Sequence, residues 1–198
     1  MMDLLLAVLG RGETPPLDRL EPEEWDGLQE VACQHRAAPL LWHHLQERGE
    51  CANPPDAIRR RLSELHVVDA LRADARRLQL AEALSALRAR RLPSVVLKGA
   101  YLAEHVYPSP ALRPMGDVDL LVPAHSFDAA VEVLTCIGYA PPDDGSRAAY
   151  RNHRHPPPFT RRGYLTIELH TSIEPCTPPF RLALTEVWRR TRPVQSAG

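Results

Sequence analysis

Residues 117–123, Asp-Val-Asp-Leu-Leu-Val-Pro, place two aspartates one residue apart and then run into apolar sequence. No other stretch of the 198-residue chain restricts the fold so tightly. An extended backbone alternates faces, so Asp117 and Asp119 share one side, with side chains about 7 Å apart at ~3.3 Å rise per residue. Val118 and Leu120 share the other side and go into a core behind them. Carboxylates beside buried sequence are costly unless they are paired. Two like charges so close also repel unless a cation lies between them. The stretch therefore asks for a half-buried strand with a core on one face and a cation on the other.

The sequence around it supplies the rest of such a sheet. Residues 94–99, Ser-Val-Val-Leu-Lys-Gly, read as a short buried strand closed by a tight turn at Gly99. Residues 100–107 look helical, and 108–116 form an irregular loop. Residues 124–139 give an amphipathic helix with Phe127, Val131, Leu134 and Ile137 on one side and Gly138 at its end. Residues 141–159 read as a loop with an edge strand. Residues 163–173 alternate most clearly: Tyr164, Thr166, Glu168 and His170 face one way, and Leu165, Ile167 and Leu169 the other. A final helix is expected over 180–193.

The period before residue 93 is helical instead. The first ten residues suit a short helix. Acidic residues open a second helix at 21–36, with Trp25, Leu28, Val31 and Ala32 at helical spacing. A third covers 38–49, and a long one runs from about 56 to 91. Its apolar stripe is read as Ile58, Leu62, Leu65, Ala75, Leu78 and Leu87, with arginines on the other faces. The expectation is a helical region over 1–92 and a core over 93–198, in an α/β (α+β) protein with a small mixed sheet flanked by helices.

Composition narrows the class. The net charge of −1 creates no global field toward nucleic acid or acidic membranes. Four scattered cysteines without a CxxC pair suit free thiols in a reducing cytoplasm. His153 and His155 lack a third spaced ligand, so no zinc site is expected. No apolar run approaches the ~20 residues of a membrane helix.

Chemistry gathers around the aspartates. A third acid is expected from a neighbouring strand, and Glu168 is the best placed. Asp117, Asp119 and Glu168 would hold Mg²⁺, or Mn²⁺ as an alternative, because such hard ions take oxygen ligands together with substrate phosphates. Two-metal phosphoryl or nucleotidyl transfer needs such a set, with Glu168 completing a metal site or taking the proton of the attacking hydroxyl. Gly99 lets backbone come close to a phosphate. Lys98 offers a point charge to a triphosphate, Arg113 a planar fork, and His170 a contact to phosphate or acceptor.

The segment from Leu97 to Pro123, with Ile167 to Ile173 after it, resembles the nucleotidyltransferase superfamily that shares a fold with DNA polymerase β. Within it the chain is similar to a bacterial subgroup related to abortive-infection toxin nucleotidyltransferases. The Leu-Lys-Gly, Gly-Asp-Val-Asp-Leu-Leu-Val and Glu-Leu-His pieces carry the likeness. It implies transfer of a nucleoside monophosphate from an NTP to a hydroxyl, with release of pyrophosphate. Asp117, Asp119 and Glu168 would be catalytic metal ligands, and Lys98, Gly99, Arg113 and His170 would bind nucleotide. The acceptor class stays open between a small molecule, tRNA and protein. Ala100 stands where the superfamily's turn carries serine, and the core is expected in a form without the C-terminal helical lobe of such enzymes. Both departures keep a second reading alive, an inactive nucleotide-binding or interaction module on the same fold.

Overall fold

The structure, a computed structural model, describes residues 1–10, 13, 15–141, 158–173 and 183–193. The loop and edge strand expected over 141–159 lie mostly outside these residues, as do His153, His155 and the opening of the final helix. Among the described residues the elements are α1 (Met2–Val8), α2 (Pro22–Gln34), α3 (Ala38–Glu47), α4 (Asp56–Ala89), β1 (Val95–Val96), α5 (Lys98–His105), β2 (Asp117–Leu121), α6 (Phe127–Cys136), β3 (Thr166–His170) and α7 (Leu184–Arg190). This is the mixed α+β class expected from the alternation of periods.

Local chemistry explains several boundaries. Pro22 opens α2, where its missing N–H costs nothing. Glu21 and Glu24 form a reciprocal capping box there, with the Glu21 N–H donating to Glu24 Oε2 at 3.0 Å. Gly138 follows α6 with a φ of +93°, a left-handed conformation in which an L side chain would be strained.

The three strands lie in the order β1-β2-β3. β1 pairs antiparallel with β2, Val95 opposite Leu121 and Val96 opposite Leu120. β2 pairs parallel with β3, with Asp117 opposite Thr166, Asp119 opposite Glu168 and Leu121 opposite His170. Parallel neighbours need a crossover, and α6 lies in the connection between them.

Two compact units make up the chain. The first combines Met1–Ala75 with Leu102–Pro114, and the second Arg76–Tyr101 with Met115–Gly198. In the first, Leu5, Trp25, Leu28, Leu41, Leu45 and Leu62 centre the core. In the second, Leu80, Ala83 and Leu87 of α4 pack with Val118, Leu120, Ile167 and Leu169 from the sheet and with Phe127, Ala130 and Leu134 of α6. The sheet's apolar face is thus buried, and Asp117, Asp119, Glu168 and His170 occupy the other face. Among the described residues no helix is long and apolar enough to cross a membrane.

The buried stripe of α4 departs from the sequence reading. Ile58, Leu62 and Leu87 are buried as expected, but Ala75 is exposed and Leu78 is 74% exposed. The buried face runs instead through Asp69, Ala73, Arg76, Leu80 and Ala83. Steps of three and four residues carry it from Asp69 to Leu87 through two charged positions. A reading of apolar residues alone slips out of phase there and lands on Leu78.

Candidate active site

β2 and β3 position the site through register. Residues opposite one another in a parallel pair point to the same side, so Asp119 and Glu168 stand together and His170 follows two residues along. Ligand atoms of Asp119, Glu168 and His170 all lie within 4.8 Å of one another. His170 Nε2 is 2.6 Å from Asp119 Oδ1 and 3.5 Å from Glu168 Oε2. Asp119 and His170 are buried, and Glu168 is half-buried.

Lys98 completes the group. Its Nζ donates to Asp119 Oδ1 at 2.6 Å. The Leu97 N–H donates to the Asp119 carbonyl at 3.0 Å, so the chain beyond β1 stays tied to β2 up to the residue before the lysine. Lys98 itself has a φ of +47°. For an L residue that left-handed conformation costs about 1–2 kcal/mol, and such strain clusters at functional sites.

The turn expected at Gly99 is therefore made one residue earlier. Gly99 sits in the first turn of α5, and a Cβ built on it would meet Met115 at 3.8 Å, an ordinary contact. The strained backbone belongs to the residue whose ammonium holds Asp119.

Electrostatics inside the site favour an ionised Asp119. Burial alone would raise its carboxyl pKa. Hydrogen bonds from His170 and Lys98, together with their charge, outweigh burial and hold it below the ordinary aspartate value. A bond from His170 Nε2 to a carboxylate requires the proton on that nitrogen. His170 thus acts as a donor to Asp119 in this arrangement, and it would ligate a metal through Nε2 only after giving up that proton.

The other sequence-derived candidates are not members of this cluster. Asp117 opens β2 opposite Thr166, half-buried, and is not a member of the three-residue cluster. Thr166 beside it donates its hydroxyl to the Gly116 carbonyl at 3.5 Å. Arg113 follows a 3-10 turn at Pro110–Leu112 and belongs to the first unit; its Nε is buried without a hydrogen-bond partner among the described residues.

One supporting residue escaped the sequence reading altogether. The buried Gln79 of α4 donates to the Leu165 carbonyl at 2.8 Å and accepts from the Leu165 N–H at 3.0 Å. It fixes the backbone immediately before β3, and with it the register of Glu168 and His170. Nearby, Arg161 stacks 3.9 Å above the Tyr164 ring centroid and pairs with Glu82 of α4 at 2.8 Å. Only a glutamine at a buried α4 position hinted at this, and that face was misread.

Two carboxylates and an imidazole converging on one point form a donor set suited to a divalent ion. The oxygens suit Mg²⁺ and Mn²⁺, and an imidazole nitrogen shifts preference toward the later first-row metals. No match emerges among curated proteins or among solved structures. A family model described as "Uncharacterised nucleotidyltransferase" matches residues 21–198, a span that includes the second unit, the first unit from residue 21 onward, and every residue of this cluster. The chain belongs to that uncharacterised nucleotidyltransferase family.

Proposed function

We propose that the chain is a metal-dependent nucleotidyltransferase, which moves a nucleoside monophosphate from an NTP to a hydroxyl acceptor and releases pyrophosphate. The observation that carries this reading is the convergence of Asp119, Glu168 and His170 beside Lys98, in a member of a nucleotidyltransferase family. Asp119 and Glu168, with Asp117 next along β2, would hold Mg²⁺ or Mn²⁺. When bound, such an ion neutralises charge on the triphosphate and favours the attacking oxygen's ionised form.

The remaining work falls to the chain's own groups. Lys98, with the backbone at Gly99, meets the phosphates. Glu168, half-buried, completes the metal site or accepts the proton of the acceptor hydroxyl. His170 keeps Asp119 ionised and fixed in orientation. In-line displacement then depends on positioning and charge neutralisation, with no covalent intermediate on the protein. Free thiols at Cys33, Cys51 and Cys136 agree with a cytoplasmic setting.

The test is incubation of the protein with each α-³²P-labelled NTP, a divalent ion and a cell extract, beside Asp119→Ala. Wild type transfers label, and the variant loses about 100-fold or more of that transfer. Transfer that survives Asp119→Ala overturns the assignment. One observation favours the second reading, an NTP-binding module without transfer: Ala100 is buried in the core and offers no hydroxyl at the turn. Calorimetric binding of an NTP with no label transfer to any extract component would select it.

A further inference from the structure

Asp119 Oδ1 takes two bonds at once, from His170 Nε2 and from Lys98 Nζ, each 2.6 Å long. A carboxylate oxygen offers about two lone-pair directions, so this oxygen is filled. A divalent ion drawn to Asp119 and Glu168 meets an ammonium already in place, and like charges at that range repel. Oδ2 remains open to an ion, but charge repulsion at this range favours the departure of one of the two partners.

Exposure decides which. The His170 side chain is 7% exposed and seated in β3, whereas the Lys98 side chain is 56% exposed on a flexible four-carbon stem. Moving the lysine into water costs little, and moving the histidine would break the sheet face. The strained backbone at Lys98 marks the same residue.

We propose that Lys98 is a resident counter-ion, which leaves Asp119 when a metal-bound polyphosphate arrives and passes its ammonium to the phosphates. This rests on the transferase reading above. A bare metal ion has to expel Lys98 with nothing to receive it. A metal–polyphosphate chelate brings its own anion, so the exchange is one salt bridge for another. Metal and polyphosphate are thereby coupled: each binds better in the other's company.

The coupling is read with two probes, Mn²⁺ alone and a preformed Mn²⁺–tripolyphosphate chelate. Free Mn²⁺ is followed by electron paramagnetic resonance and the chelate by calorimetry, on wild type, Lys98→Met, Lys98→Gly and Asp119→Asn. The glycine variant relieves the positive φ and keeps the test open where the methionine variant folds poorly. Both Lys98 variants should bind Mn²⁺ about threefold more tightly or better and the chelate about tenfold more weakly. Unchanged or weaker Mn²⁺ binding in the Lys98 variants overturns the exchange, because the lysine then merely props Asp119. Unchanged chelate binding overturns it as well. Wild type that binds neither probe, like Asp119→Asn, removes the metal site and the exchange together. Opposite shifts in a protein that transfers no label sustain the exchange and remove only the transferase reading.

Discussion

At the scale of single residues, burial sets the titration of Tyr139. Its side chain is almost wholly enclosed, edge-on to Tyr164 and 5.7 Å from the Arg161 guanidinium. Burial pushes the phenol above its ordinary value of 10.0, although Gln79 and Arg161 pull back in the other direction. The folded state then keeps a proton that the unfolded state releases. Stability from this source is complete below pH ~10 and falls as pH rises from there toward the folded value. Tyr139→Phe removes the dependence. Urea midpoints of wild type should drop relative to the variant above pH ~10 and run parallel to it below. A constant difference across that range would contradict the assignment. The residue scale is also where sequence legibility was most uneven. Asp119 and Glu168 were readable because period-two alternation places them unambiguously. The left-handed turn was not, because a glycine next door is the residue that ordinarily adopts it, and the ion pair tied to it links residues 98 and 119.

At the scale of elements, β3 has its place because α4 holds it. Replacing Gln79 by alanine leaves the Leu165 N–H and carbonyl without their partners and opens a small cavity. The expected loss is about 2–4 kcal/mol. Gln79→Glu keeps the acceptor but buries a carboxylate against the Leu165 carbonyl, so an equal or larger loss is expected near neutral pH. Chemical denaturation of the three proteins measures both, and Mn²⁺ affinity should fall with them if Gln79 fixes the register of Glu168. Equal stability in all three would show the amide to be idle. The strands were legible in outline, since β2 and β3 lie within the stretches read as extended. The phase of α4 was not. Its buried face carries Asp69 and Arg76, so apolar periodicity loses the thread where the helix passes from the first unit to the second.

At the scale of the whole molecule, chain order and compactness divide the protein differently. Helical periodicity gives way to strand periodicity near residue 93. The second unit nevertheless begins at Arg76, inside α4, and takes Leu80, Ala83 and Leu87 into its core. A fragment of residues 76–198 should therefore hold the sheet far better than one of 93–198, which lacks those three side chains and Gln79. Each lost leucine alone removes about 2 kcal/mol of burial. Circular dichroism and amide dispersion in NMR spectra compare the two. A well-dispersed, cooperatively unfolding 93–198 fragment would refute the importance given to α4.

The sheet is also bounded with unusual economy. β1 contributes only Val95 and Val96 on one side. On the other, Phe159 exchanges N–H and carbonyl bonds with Ile167 of β3, at 2.8 and 3.0 Å. Among the described residues, neither margin offers a long row of unsatisfied amides on which a foreign chain could template itself. A sheet with Asp119 and Glu168 gathered on one face thus limits another hazard of small sheets, growth by edge-to-edge addition into aggregates.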